Sequence, residues 1–185
     1  MIPYTDEQKM LLEMVRRLGK EKIEPLIEDL DKKGEGAGEA LKILIENDLL
    51  KLALPEEYGG IGADYTTLAL VIEEMAKVDS GIAMYIASSA ASLFLILKDF
   101  ANEEQRKKLF TSCQAGDKLG GFLLTEPGHG SDAANITARA ILKGDCYIVN
   151  GTKTMSTNGP VADHYILFAR TGPGEKYRGI SCFLF

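Results

Sequence analysis

At 185 residues, with 45% apolar and 26% charged side chains, the chain has the composition of an ordinary soluble protein, sized for one domain or two small ones. Its formal net charge of −6 argues against a nucleic-acid partner, and the densest basic run, EEQRKKL at 103–109, alternates with acids as a solvated helix face does. Three widely spaced cysteines, Cys113, Cys146 and Cys182, predict reduced thiols rather than a disulfide frame, and with only His129 and His164 besides them no zinc site is expected. The opening MIPYTDEQKM lacks a basic-then-apolar leader pattern, so a cytoplasmic location is expected, or the mitochondrial matrix if a transit peptide has been removed.

The first elements in the chain read as helices. Thr5 is placed to cap a helix whose first turn carries Asp6 and Glu7, and Met10, Leu11, Met14, Val15 and Leu18 recur at helical spacing. Ile23, Leu26, Ile27 and Leu30 continue that stripe past Pro25, and the glycines of DKKGEGAG at 31–38 make a loop. EALKILIENDLLKLAL predicts one further helix, ended by Pro55 and the EEYGGIG turn. DYTTLALVIEEMAKVD leads into GIAMYIASSAASLFLILK, which starts at Gly81 and is uncharged as far as Lys98. Short of the roughly 20 residues of a span and carrying three serines, it reads as a buried core helix, not a membrane segment. NEEQRKKLFTSCQAG closes the helical part.

After Asp117 the period changes. LGGFLLT is a short apolar strand, and NITARAILKGDCYIVNGTKTMSTNG reads as strands broken at Lys143-Gly144-Asp145 and at Asn150-Gly151. ADHYILFARTG and RGISCFLF are two more β runs. The expected class is therefore α+β: a helical domain over 1–117, then an incomplete antiparallel β domain over 118–185. RGISCFLF has no turn or polar cap after it, so its edge is expected to promote association unless another segment pairs with it.

Between the first two strands lies FLLTEPGHGSDAANI, residues 122–136. It lacks the third glycine of a dinucleotide fingerprint, the Gly-Lys-Ser/Thr of a P-loop and the G-x-S-x-G of a serine elbow. His129, Ser131 and Asp132 are too close in one tight loop to form a triad. Without a Cβ, Gly128 and Gly130 let backbone approach a flat or anionic ligand, with the hydroxyls of Thr125 and Ser131 beside them. Pattern alone leaves open a ligand loop and an ordinary turn of small residues.

LTEPGHGSDAANITARAILKGDCYIVNGTKTMSTNG closely resembles the acyl-CoA dehydrogenase signature: a T-E-P-x-x-G-S-D loop, a hairpin through a G-D turn, then N-G-x-K-x-W-I-T-N. LALPEEYGGIGADYTTLALVIEEMAK resembles the family's earlier P-E-x-Y-G-G-x-G turn, and the resemblance covers essentially the whole chain. It implies FAD-dependent α,β-dehydrogenation of an acyl-CoA, with electrons passed to an electron-transferring flavoprotein, in a homotetramer when complete. An acyl-CoA oxidase of the same family, or a non-catalytic binding module, are the alternatives.

Residue by residue, the resemblance places Leu124 and Thr125 against the flavin's pyrimidine edge, with Phe122 lining the same pocket. It places Gly130 and Ser131 at the FAD pyrophosphate, with Ser131 also reaching the substrate's pantetheine arm. Met155, Ser156 and Thr157 take the places of the family's Trp-Ile-Thr, with Thr157 at flavin N5. Met84, Tyr85 and Ala87 are candidates for the floor of the acyl pocket. Glu126 is expected to bond within its loop rather than serve as base, and His129 to be an exposed variation. Met155 departs from the family, which has an aromatic residue there. The resemblance also implies that a C-terminal helical domain, with the catalytic glutamate, is absent from residues 1–185; these residues alone are expected to be inactive.

Overall fold

The computed structural model describes residues 4–34, 36–174 and 176–185. The chain forms two compact units, Met1–Lys118 and Leu119–Phe185.

In the first unit the caps fix where helices begin. The Thr5 hydroxyl accepts from the Gln8 amide at 3.1 Å while the Gln8 side chain accepts from the Thr5 amide at 3.0 Å, starting α1 (Asp6–Leu18). A π-helical stretch, Gly19–Ile23, joins α1 to α2 (Glu24–Lys33). Pro25 lies in the first turn of α2, where its missing N–H leaves no bond unmade, so the apolar stripe continues past it. α3 (Ala37–Glu46) is shorter than the sequence suggests. The helix stops at Asn47, whose side chain donates to the Ile43 carbonyl, and Asp48 takes a left-handed conformation (φ 59°) before a 3-10 turn at Leu49–Lys51. Short polar side chains that bond the backbone locally and tolerate that conformation outweigh the apolar periodicity here.

In the turn that follows, an added Cβ on Gly60 would lie 2.0 Å from the Leu54 carbonyl oxygen, so only glycine fits. Asp64 and Asp79 cap α4 (Tyr65–Ala76) and α5 (Ser80–Ser89). α5 runs through a second π-helical stretch, Ala90–Leu95, into α6 (Ile96–Phe100). The combined Ser80–Phe100 helix has 21 residues and is long and apolar enough to cross a membrane by length and composition, which corrects the shorter reading. Within this unit α5 packs against α3 and α4 and buries Ile82 and Ile86, and the π-helical stretch after it buries Leu93 and Phe94. α7 (Glu103–Ser112) starts with a capping box between Asn102 and Gln105; Lys107 and Lys108 are exposed, while Arg106 is half-buried and donates to the Ala101 carbonyl at 2.9 Å.

The second unit is built around β4 (His164–Arg170). β1 (Gly120–Leu123) and the start of β2 (Arg139–Lys143) lie along one edge of β4, and β5 (Ile180–Leu184) pairs with the other edge. β3 (Cys146–Asn150) pairs with β2 across the Gly144-Asp145 turn. The sheet is mixed rather than purely antiparallel. β2–β3 and β4–β5 are antiparallel, but β1 and β2 both run parallel to β4. Parallel neighbours require a crossover connection, and residues 124–138 and 151–163 provide it. For the same reason Gly151 starts no new strand, and 151–163 is loop and turn. A small core of Ala138, Ala140 and Ala169, with Phe183 against it, holds the strands together. Ile141, Leu142, Tyr147, Ile148 and Val149 on the β2–β3 hairpin remain exposed.

Candidate functional site

The two crossover loops meet at Glu126. It follows the end of β1 and is only 4% exposed. Its Oε2 accepts from the Thr137 amide at 2.6 Å and the Thr137 hydroxyl at 2.7 Å. Its Oε1 accepts from the Ala138 amide at 2.8 Å and from Lys153 Nζ at 2.9 Å. Burial by itself pushes the Glu126 pKa up, but the Thr137, Lys153 and Ala138 donors together outweigh it and bring the pKa down to about 2. The carboxylate is thus ionised and saturated. Such a group cannot take a proton from a substrate, in line with its expected role inside the loop.

Lys153 comes from the second loop, and its side chain is 8% exposed. Besides Glu126, its Nζ donates to the Leu124 carbonyl at 2.9 Å. The next residue, Thr154, donates its amide to the Thr125 carbonyl, also at 2.9 Å. Three consecutive residues, 124–126, are therefore clamped to two, 153 and 154. Gly151 makes the close approach possible, because a Cβ there would lie 2.5 Å from the Ala138 Cβ.

The candidate residues lie along these two loops. Phe122, on β1, is half-buried and packs on Phe168 with ring centroids 5.3 Å apart. Leu124 and Thr125 offer their carbonyls to the second loop, while the Thr125 hydroxyl has no hydrogen-bond partner among the described residues. Past Pro127, added Cβ atoms on Gly128 and Gly130 would meet nothing within 4 Å, so this chain's own packing does not demand glycine at either position. Ser131 is exposed, and its hydroxyl too is unbonded within the described residues. His129 is half-buried rather than fully exposed, because its amide and carbonyl pair with those of Glu126 in a one-residue bridge.

On the second loop, Met155 is 87% exposed and holds a left-handed conformation at φ 54°. A side chain with a Cβ is uncommon there and costs free energy that the surrounding structure must offset. Asn158, also left-handed at φ 58°, supplies part of that support. Its side chain donates to the Gly120 carbonyl at 3.1 Å, and its own carbonyl accepts from the Val161 and Ala162 amides. Ser156 and Thr157 sit half-buried between the two strained residues, and no hydroxyl partner for either occurs among the described residues. Thr125 and the 155–157 turn are thus held on adjoining backbone, whereas Ser131 lies further along the first loop with no hydrogen bond to the second. In the helical unit, Met84 is 45% exposed, with Tyr85 and Ala87 half-buried.

Sequence reasoning did not single out Lys153, Thr137 or Arg170. Arg170, at the end of β4, donates to the carbonyls of Ala134, Ile136, Gly174 and Lys176, pinning the end of the first loop. A signal for Lys153 was present, since it is the lysine of the N-G-x-K string and Glu126 the acid of T-E-P. Their 27-residue separation hides the pairing.

Two family models match the chain: the acyl-CoA dehydrogenase N-terminal domain over residues 5–117 and the middle domain over residues 121–185. An acyl-CoA dehydrogenase of Bacillus subtilis is 37% identical over 97% of this chain and 48% of its own length. Butyryl-CoA dehydrogenase from Megasphaera elsdenii superposes with a TM-score of 0.91 at 32% identity, over all of this chain and 49% of that one. A chain from the structure of the electron transferring flavoprotein of Acidaminococcus fermentans superposes at 0.92 with 34% identity, again over all of this chain and 49% of the other. The chain spans about half the length of the curated relatives it matches. With both domain models matched in order, the chain belongs to the acyl-CoA dehydrogenase family.

Proposed function

We propose that residues 1–185 form the flavin-facing part of an FAD-dependent enzyme that introduces an α,β double bond into an acyl-CoA thioester. The observation that carries this reading is the pair of clamped loops with their hydroxyls unspent. Thr125, Ser131, Ser156 and Thr157 have no hydroxyl partner among the described residues, and the space over Gly128 and Gly130 is open. Such a surface fits a cofactor with a polar ring edge and a pyrophosphate. When bound, FAD supplies the oxidant for the β-hydrogen.

The chain's own residues bind and orient. With FAD bound, the Thr125 and Thr157 hydroxyls would donate to the flavin ring and favour its reduced form. Gly130 and Ser131 would hold the pyrophosphate, and Ser131 would also bind the thioester arm. Phe122 and Leu124 shape the wall, and Met155 and Ser156 bound the second loop. Glu126 is excluded as the base by its four donors, and Asp132 is exposed and accepts from Asn135 at 2.6 Å. The family resemblance, not the elimination of these two acids, is the ground for proposing that the general base lies outside 1–185. An electron-transferring flavoprotein is the proposed acceptor, supported by the likeness to the Acidaminococcus structure. A cytoplasmic homotetramer is the proposed state of the whole protein.

The test is spectroscopic. The purified whole protein, with the residues that supply the base, is expected to be yellow with a flavin spectrum that short, medium or branched acyl-CoAs bleach without oxygen. A colourless protein that takes up no added FAD overturns the reading.

A further inference from the structure

We propose that Glu126 and Lys153 act as positioning residues, a latch that sets the spacing between the two flavin-facing loops. The inference rests on the flavin reading above and assigns a role to two side chains that cannot themselves reach a cofactor. Glu126 spends both oxygens on Thr137, Ala138 and Lys153, and Lys153 Nζ is engaged by the Leu124 carbonyl and Glu126.

The geometry gives the latch its leverage. No strand pairing joins residues 124–126 to 153–157, and one backbone bond, Thr154 to Thr125, links them. Lys153 holds the carbonyl before Thr125 and the carboxylate after it, so it fixes the backbone on both sides of that residue. Met155, Ser156 and Thr157 follow directly, and Met155 sits in a conformation that the chain does not favour by itself. Without the ammonium, the Thr154–Thr125 bond is the one hydrogen bond left between residues 124–126 and 153–157 among the described residues. Glu126 still bridges to Thr137 and Ala138, so the first loop keeps its shape. The two ends of the latch are therefore unequal.

The experiment uses the whole protein carrying Lys153→Met, with Lys143→Met, at the exposed hairpin turn, as control. Amide hydrogen exchange is expected to speed up about tenfold or more at Thr154 and little at Thr137 and Ala138. FAD affinity, followed by flavin fluorescence, is expected to fall about tenfold or more, with a changed visible flavin spectrum, while the control matches wild type. If Lys153→Met does not fold, Lys153→Gln replaces it with the same expected signs. The reciprocal exchange, Glu126→Lys with Lys153→Glu, is expected not to restore binding, because a lysine at 126 cannot accept from the Thr137 and Ala138 amides. Unchanged exchange at Thr154, unchanged FAD affinity and spectrum, or rescue by the exchange each overturns the latch. A wild-type protein that binds no flavin instead overturns the cofactor reading, and the exchange data still judge whether the pair ties the loops.

Discussion

Each unit buries one glutamate against a cation, and the two are held differently. Glu74, on α4, is 6% exposed and accepts from Arg16 Nε at 2.8 Å and Lys77 Nζ at 2.7 Å. The side chains of both partners are more than half exposed, 63% for Arg16 and 56% for Lys77. Glu126 is as buried, but its cation is buried with it, and backbone amides supply much of the remaining bonding. In the helical unit the pair fastens α1 to α4, two helices that apolar packing already joins. In the β unit the pair ties together two irregular loops that no helix or strand pairing joins at that point. A buried carboxylate therefore matters according to what else holds its neighbours in place.

The largest expected effect comes from removing the Glu126 charge. In Glu126→Gln one carboxylate oxygen becomes an NH2 group, which must face either the Thr137 donors or the Ala138 amide and Lys153. A buried donor is then set against donors and the lysine is left unpaired, at a cost of about 3–5 kcal/mol in unfolding free energy. Urea denaturation of the full chain measures it. A loss below that of Glu74→Gln inverts the comparison between the units.

Acid sharpens it next. The folded pKa of Glu126 lies below the ordinary 4.5, at about 2. The stabilisation it supplies is thus fully present above the unfolded value and is lost as pH falls through the folded one. The window is about pH 4.5 down to 2, and a difference of that size corresponds to about 3 kcal/mol. Glu74 is shifted the same way, chiefly by its hydrogen bond from Arg16 and then that from Lys77. Exchange measured between pH 5 and 3 is expected to retain protection at Thr137 and Ala138 over most of that range. Protection lost already near pH 4.5 contradicts the depressed pKa.

A smaller loss is expected for Glu74→Gln, about 1.5–3 kcal/mol for the charge-assisted hydrogen bonds it weakens. The variant keeps one oxygen acceptor and both cations remain wetted, so nothing is stranded in the interior. Its thermal midpoint should fall less than that of Glu126→Gln, with FAD affinity unchanged. A change in flavin binding here would mean that the Glu74 pair acts on the cofactor site as well as on the packing of α4.

The contrast also explains what the sequence could disclose. The first helix start was legible because its cap is local, Thr5 with Gln8 three residues on; Asp64 with Thr67 and Asp79 with Ile82 share that spacing but were not read as caps. The hairpin at Gly144-Asp145 was legible for the same reason. The parallel pairing of β1 with β4 was not, since it depends on residues more than forty positions apart, Gly120 opposite His164. The early end of α3 was missed because Asn47 and Asp48 act through backbone bonds that an apolar pattern does not register. At the site, Thr125, Ser131 and Thr157 came from the resemblance, while Lys153, whose role depends on an acid in another loop, emerged only from the fold. Sequence discloses what short-range chemistry decides, and the latch is long-range.

The smallest effect is expected at the outer cation of the helical pair. Lys77→Met removes an ammonium whose side chain is 56% exposed and which also lies 3.7 Å from Glu73. Water replaces much of that interaction at once, Arg16 still donates to Glu74, and surface ion pairs are worth little and are screened by salt. The thermal midpoint is therefore expected to fall slightly at low salt and to match wild type at high salt. Lys153→Met, with no water to replace its ammonium, should keep its full deficit at both salt concentrations. Paired melts of the two variants at low and high salt decide the matter. Equal losses, or equal salt dependence, mean that burial of the cation is not what separates the two glutamates.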